Sequence, residues 1–419
     1  MVPIPALQAS PKRIEDDLLA LARFTQPDLP YTRLAFSEED KQARQWLVEQ
    51  MRSLGLSVRI DPAANIIGRR ECQEPPLPVL MVGSHIDTVR AGGRFDGMVG
   101  VVGALEVVRL FNQLGIATRH PLEIVAFTCE EPTAYGFSPF GSRAMAGQLD
   151  TEQVHKAVFP DGRRLSDLLR GIGGDPERLA EARLSPSQVL CHLELHIEQG
   201  AVMERQGLQV GVVTAIAAPC RGVARFLGRA DHAGATPMDE RADALCAAAE
   251  LVLAVERLAR SYQDMVGTVG ALQVHPNMVN VIPGRVDMNL EVRSTSAEDL
   301  AMVRQALERE AQAIAGHRGV QAEFSWLYCD EPVIIPQRVR EHLERACQET
   351  GVRWAPIVSR ASHDSARLAA VIPVGMLFVP SHRGLSHCPE EWTEFEQIAV
   401  GVTVLAHAIL RIDQKGIEP

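Results

Sequence analysis

Residues 78–131 read PVLMVGSHIDTVRAGGRFDGMVGVVGALEVVRLFNQLGIATRHPLEIVAFTCEE, and this stretch decides the fold. PVLMVGS (78–84) and LEIVAFTC (122–129) are short, continuous apolar runs, the pattern of buried strands. Between them MVGVVGALEVVRLFNQLG (98–115) is long enough for a helix and stops at Gly115, a suitable helix end. Strand, helix and strand at this spacing predict a right-handed βαβ unit with a parallel sheet. The loop between the first strand and the helix carries His85, Asp87 and Asp96, all metal-ligand types, among glycines that let backbone approach closely.

Working outward, VGMLFVPS (374–381) predicts another strand of this sheet and EFEQIAVGVTVLAHAILRI (394–412) a closing helix. The middle of the chain has a different pattern. VGVVTAIA, RGVARFLG, GTVGALQV and GRVDMNLEVR predict half-buried strands, the last alternating at Val286, Met288, Leu290 and Val292. Helices are expected over 242–262 and 297–316. The fold class is therefore α/β: a mostly parallel-sheet domain over 1–213 and 330–419, with an α+β domain of antiparallel sheet and two helices inserted at 214–329.

Composition narrows the function. The chain has 419 residues, 46% hydrophobic and 23% charged, which fits a globular protein of roughly two domains. A formal net charge of −11 without a Lys/Arg block argues against nucleic-acid or membrane-surface partners. The N-terminus has no apolar run of signal-peptide length, and no window is expected to span a bilayer. Eight cysteines lie scattered without a CxxC pair, and Cys129, Cys191 and Cys246 sit in apolar runs as small core residues. That usage predicts a reducing, cytoplasmic location.

Open parallel sheets bind ligands at the carboxyl ends of their strands. His85, Glu130, Glu131 and His387 follow predicted strands, Asp96 opens a helix, and CHLELHIEQG brings His196 to the same region. Two divalent ions about 3.5–4 Å apart need a bridging carboxylate, imidazoles and a further carboxylate, and His85, Asp96, Glu131, His196 and His387 make such a set. Glu130, beside a ligand, is placed to take a proton from water. Asp87 could hold the second nitrogen of His85. Adjacent glutamates are usually a solvated loop, and a single His is usually structural; only their coincidence at strand ends reverses that reading.

In order, GSHIDTV, GGRFDG, CEE, LELHIEQG, DHAGATPM, NMVNVIPG and LSHCPEE resemble the hydantoinase/carbamoylase-type amidases. These include N-carbamoyl-L-amino-acid hydrolases, β-ureidopropionases and allantoate amidohydrolases, within the clan of dinuclear zinc aminoacylases and exopeptidases. The resemblance runs from about residue 40 to 410. It implies one ion on His85, Asp96 and His196, a second on Asp96, Glu131 and His387, and Glu130 as general base. The ions would be zinc, with manganese, cobalt or nickel as alternatives. His232, Asn280 and Arg293 of the inserted domain, with Gln199, would contact substrate, Arg293 as a fork for a carboxylate and His232 as oxyanion donor. Ser362 and His363 would line the site, although SRASHDS (359–365) replaces the Gly-rich loop expected there. PTAYGFSPFGSRAMAG (132–147) also departs from the pattern, so Pro132–Phe137 would reshape the pocket wall.

The expected activity is hydrolysis of a ureido group in a small carboxylate such as an N-carbamoyl-L-amino acid, releasing ammonia and carbon dioxide. Allantoate is the alternative substrate, and ordinary amides, as for an aminoacylase or dipeptidase, the less favoured one. A non-catalytic binding protein is disfavoured by the complete ligand set. Closure of the inserted domain would exclude water, and relatives lead us to expect a homodimer joined through that domain.

Overall fold

The computed structural model describes residues 7–72, 77–133, 136–159 and 161–417. The chain forms two compact units: one of residues 1–214, 335–357 and 363–419, the other of 215–334 and 358–362. The inserted segment thus reaches five residues beyond the expected end, and a short later piece joins it.

The strands in chain order are β1 (Ser57–Ile60), β2 (Ile66–Arg70), β3 (Val79–His85), β4 (Leu122–Phe127), β5 (Val189–Ile197) and β6 (Val210–Ile216). There follow β7 (Ala218–Leu227), β8 (Val266–His275), β9 (Arg285–Ser294), β10 (Gln321–Cys329), β11 (Val333–Ile334), β12 (Trp354–Ser359) and β13 (Val374–Val379). Among the described residues the larger sheet runs β1-β2-β4-β3-β5-β13-β6-β11, with β12 also on β6. Its centre, β4-β3-β5-β13, is parallel throughout, while β2 and β6 flank it antiparallel. Every residue of β3, β4 and β13 is buried, as their unbroken apolar runs require.

Helix Met98–Gln113 connects β3 to the adjacent parallel β4, as the opening stretch predicts. It packs beside helix Phe395–Lys415 in the core, with Phe111, Leu105, Val402 and Leu405 fully buried. By length and composition Phe395–Lys415 could cross a membrane, against the expectation that no segment would. It does not need a bilayer: 61% of its most apolar window is already buried against the sheet and three other helices.

The second unit is an antiparallel sheet, β10-β7-β9-β8, under helices Ala244–Arg260 and Ala297–Arg318. Val286, Met288, Leu290 and Val292 of β9 all point into its core, confirming the alternation. Two assignments change. VGVVTAIA is β6 of the larger sheet, and the fourth strand here is β10, whose inward residues are only half-buried and so gave no strong apolar period. Cys220 and Cys329, register partners on β7 and β10, form a disulfide, so these two thiols are not independent core residues. Cys246 is exposed on its helix rather than buried.

Candidate metal centre

Four parallel strands deliver the site. His85 ends β3, Glu130 and Glu131 follow β4, His196 lies near the end of β5, and His387 follows β13. His196 Nε2 lies 3.1 Å from Asp96 Oδ1, and His387 Nε2 lies 2.9 Å from Asp96 Oδ2. His387 Nε2 is also 3.4 Å from Glu131 Oε1, and His85 Nε2 is 4.0 Å from Asp96 Oδ1. Two groups of donors therefore share one carboxylate: His85–Asp96–His196 and Asp96–Glu131–His387, each set lying within 4.8 Å. Four of the five side chains are buried, while the His387 side chain is 48% exposed and marks the open side.

Local structure explains the placement. Gly97 takes φ +72°, and a Cβ there would sit 2.4 Å from His85 Nε2. Cys129, Gln199 and His387 are non-glycine residues at φ +55°, +55° and +56°, each beside or within the site. Such backbone is tolerated where surrounding structure over-determines it, and it gathers at functional sites. Asp87 accepts from the backbone N–H of Glu130 (3.2 Å) and Glu131 (3.1 Å), tying the loop after β3 to the loop after β4. Its backbone carbonyl, at 3.0 Å, is the nearer partner of His85 Nδ1, with the carboxylate 3.7 Å away. Asp87 thus orients the glutamate pair as much as the imidazole.

Burial alone would raise the Asp96 carboxyl, but hydrogen bonds from His196 and His387 hold it well below the usual range. Glu130 and Glu131 are pushed well up, first by burial and then by neighbouring carboxylates. Buried acids crowded in this way beside three imidazoles form a donor set suited to divalent cations. Glu130 Oε2 lies 3.8 Å from His85 Nε2, beside the first group.

Gln199 Nε2 donates to Asp96 Oδ2 at 3.1 Å, so its amide faces the shared carboxylate. His363 is buried edge-on against His196, ring centroids 4.5 Å apart, and burial drives it down to about 3, so it is neutral. Ser362 is half-buried one residue earlier, in the other unit. Of Pro132–Phe137, Ala134 and Tyr135 lie outside the described residues. Beyond them Phe140 and Gly141 donate to the carbonyls of Cys129 and Thr128, closing the loop.

In the second unit, His232 Nδ1 accepts from the N–H of Gly234 (3.0 Å) and Ala235 (3.2 Å). Its ring proton therefore belongs on Nε2, and the exposed imidazole presents a donor. The Asn280 carbonyl accepts from Ala233 N–H at 3.0 Å, joining the DHAGATPM and NMVNVIPG segments. Arg293 is half-buried near the end of β9.

Two acids escaped the sequence reading. Glu391 accepts from Phe95 N–H (2.8 Å) and Asp96 N–H (3.2 Å), fixing the loop that aims Asp96. LSHCPEE contained it, but the same solvated-loop prior that applies to any Glu-Glu hid it. Glu194, two residues before His196 on one face of β5, accepts from Ser84 (2.7 Å) and Ser365 (2.6 Å). It groups with His196 and His363, yet these bonds and the His196 Nδ1 contact to the Ile197 carbonyl (2.9 Å) engage that group within the protein.

Residues 81–411 match the model of peptidase family M20/M25/M40. The chain belongs to that family. It is 42% identical over 391 residues to an N-carbamoyl-L-amino acid amidohydrolase of Geobacillus stearothermophilus, covering 93% of this chain and 95% of that one. A ureidoglycolate hydrolase of Oryza sativa subsp. japonica is 40% identical over 400 residues, 94% and 82% of the two chains. A hydantoinase/carbamoylase family amidase from Burkholderia multivorans superposes with TM-score 0.89 at 34% identity, covering 99% and 100%. The resemblance in the sequence motifs holds across the whole fold, and the chain is a hydrolase of this family.

Proposed function

We propose that the protein hydrolyses the ureido C–N bond of a small carboxylate, an N-carbamoyl-L-amino acid foremost, giving the amine, ammonia and carbon dioxide. The observation that carries this reading is Asp96 shared between two donor groups with Glu130 alongside. The similarity to an N-carbamoyl-L-amino acid amidohydrolase supplies the substrate class. His85, Asp96 and His196 would hold one divalent ion, and Asp96, Glu131 and His387 a second; zinc suits this mixture of imidazole and carboxylate. Ions held there supply Lewis-acid polarisation of the carbonyl and acidify water.

The chain's own groups do the rest. Glu130, raised by burial and by Glu131, is a stronger base than an ordinary carboxylate and takes the proton of the attacking water. It returns that proton to the leaving nitrogen. His232 donates from Nε2 to the oxyanion, and Arg293 and Asn280 hold the substrate, with Gln199 near the reacting centre. Asp87 and Glu391 fix the two loops that carry Glu130 and Asp96. We also infer a homodimer through the second unit, whose edge strand β8 leaves Val266 and Leu272 exposed.

The test is ammonia release by metal-loaded protein from N-carbamoyl-L-amino acids, N-carbamoyl-β-alanine, allantoate, ureidoglycolate and N-acyl amino acids. Turnover of a ureido compound, abolished by Glu130→Gln at unchanged metal content, is expected. Turnover of N-acyl amino acids alone, or full activity in Glu130→Gln, would overturn the reading.

A further inference from the structure

Arg293 does not stand alone on its strand. Glu291 is two residues earlier on β9, so both side chains emerge on one face. Arg221 on β7 is the direct register partner of Glu291. Arg293 Nε donates to Glu291 Oε1 at 2.5 Å, and Arg221 Nε donates to Glu291 Oε2 at 2.5 Å. The Glu291 side chain is only 24% exposed, and its acidity is enhanced by these two guanidinium groups, which outweigh its burial. Tyr328 lies beneath Arg221, ring centroid 5.5 Å from its guanidinium carbon. On its other side Arg293 Nη1 donates to the Arg360 carbonyl at 3.0 Å.

Arg293 is thus held at Nε and through one hydrogen of Nη1, and Nη2 together with the second Nη1 hydrogen is left to meet a ligand. A guanidinium fork binds a carboxylate well because little rotamer freedom is lost when it is already oriented. Given the reading that Arg293 grips the substrate carboxylate, we propose that Glu291 is the positioning residue of that clamp, and that Arg221 anchors Glu291. Sequence spacing alone hinted at this: LEVR places an acid two residues before the arginine.

Charge and orientation predict opposite results when Glu291 is neutralised. Glu291→Gln leaves two uncompensated guanidinium groups, a stronger field that would draw an anion in and lower KM. If orientation dominates, KM rises instead. Freezing one arginine is worth roughly tenfold in affinity, since its rotamer freedom is otherwise lost on binding.

The experiment measures kcat and KM of the metal-loaded full chain for its carboxylate substrate and for the matching carboxamide. Parent, Glu291→Gln, Glu291→Asp and Arg293→Gln are compared, with melting temperature and metal content checked. The expected result is a KM about tenfold higher in Glu291→Gln, with kcat within threefold and the carboxamide unaffected, because uniform binding is lost. Glu291→Asp, which keeps the charge, recovers part of the loss and carries the test if the glutamine variant fails to fold. If Arg293→Gln raises KM while Glu291→Gln leaves it unchanged or lowers it, the positioning role is overturned and the clamp stands. If Arg293→Gln also leaves KM unchanged, the clamp reading falls and the proposal with it.

Discussion

Asp87→Asn is the most informative single perturbation of the site. Asp87 is 2% exposed, and each carboxylate oxygen accepts one backbone N–H, from Glu130 at 3.2 Å and Glu131 at 3.1 Å. Asparagine keeps the shape but offers one acceptor, so its NH2 must face the other N–H. One charge-assisted bond is lost, about 1.5 kcal/mol at the weak end that these long distances suggest. The orphaned donor costs about 1 kcal/mol more. The sum is about 2.5 kcal/mol of stability, readable as a lower urea midpoint at unchanged slope. The consequence for activity is larger. Glu130 and Glu131 lose their common tether, and displacing a reacting group by about 1 Å costs on the order of 100-fold. The assay pairs urea unfolding with turnover at saturating ureido substrate and with metal content. A variant within threefold of parental turnover and about 0.5 kcal/mol of parental stability would refute the claim that Asp87 holds the glutamate pair.

Further outcomes follow from the same geometry. Gly97→Ala drives a methyl group into His85 Nε2 and forces φ +72° on a residue with a side chain. Turnover and metal retention should fall by ~100-fold, as when a ligand is displaced, whereas Gly115→Ala, with open space around it, should retain both; equal behaviour of the two would argue against the clash. Chelation should lower the melting temperature, and more at pH 8 than at pH 5.5. Glu130 and Glu131 are raised in the folded state, first by burial, so that state binds protons the unfolded chain does not. The metal-free protein therefore loses stability as pH rises above the unfolded carboxylate range toward neutrality. A gap between loaded and stripped protein that is equal at both pH values would contradict this.

How much could be read in the sequence depended on which physical pattern was undisguised. β3, β4 and β13 are buried on both faces, so their unbroken apolar runs carried no competing signal. β10 alternates too, but its inward residues are only half-buried, so it went unrecognised until it paired with β7. VGVVTAIA was assigned to the wrong sheet because an apolar run reveals a strand and not its neighbours. The candidate donors could be picked out because His, Asp and Glu crowded at strand ends are costly there without a partner, and the fold gathers them into two groups. Glu194, Glu391 and the orienting role of Asp87 could not be, since each acts through serine hydroxyls or backbone N–H groups that only the folded chain brings near. Helix Phe395–Lys415 shows the converse: core burial and bilayer burial leave the same composition.

The donors run from His85 to His387, with all of 215–334 between His196 and the last of them. On a ribosome adding about 5–20 residues per second, His387 emerges roughly 10–40 s after His196. Through that interval the nascent chain owns the His85–Asp96–His196 trio but not its counterpart, and Glu391 is still unmade to brace Asp96. Any ion captured early would rest in a half-built cradle, open to exchange with whichever cation is most abundant. The two donor groups that share Asp96 are therefore complete only after nearly the whole chain exists.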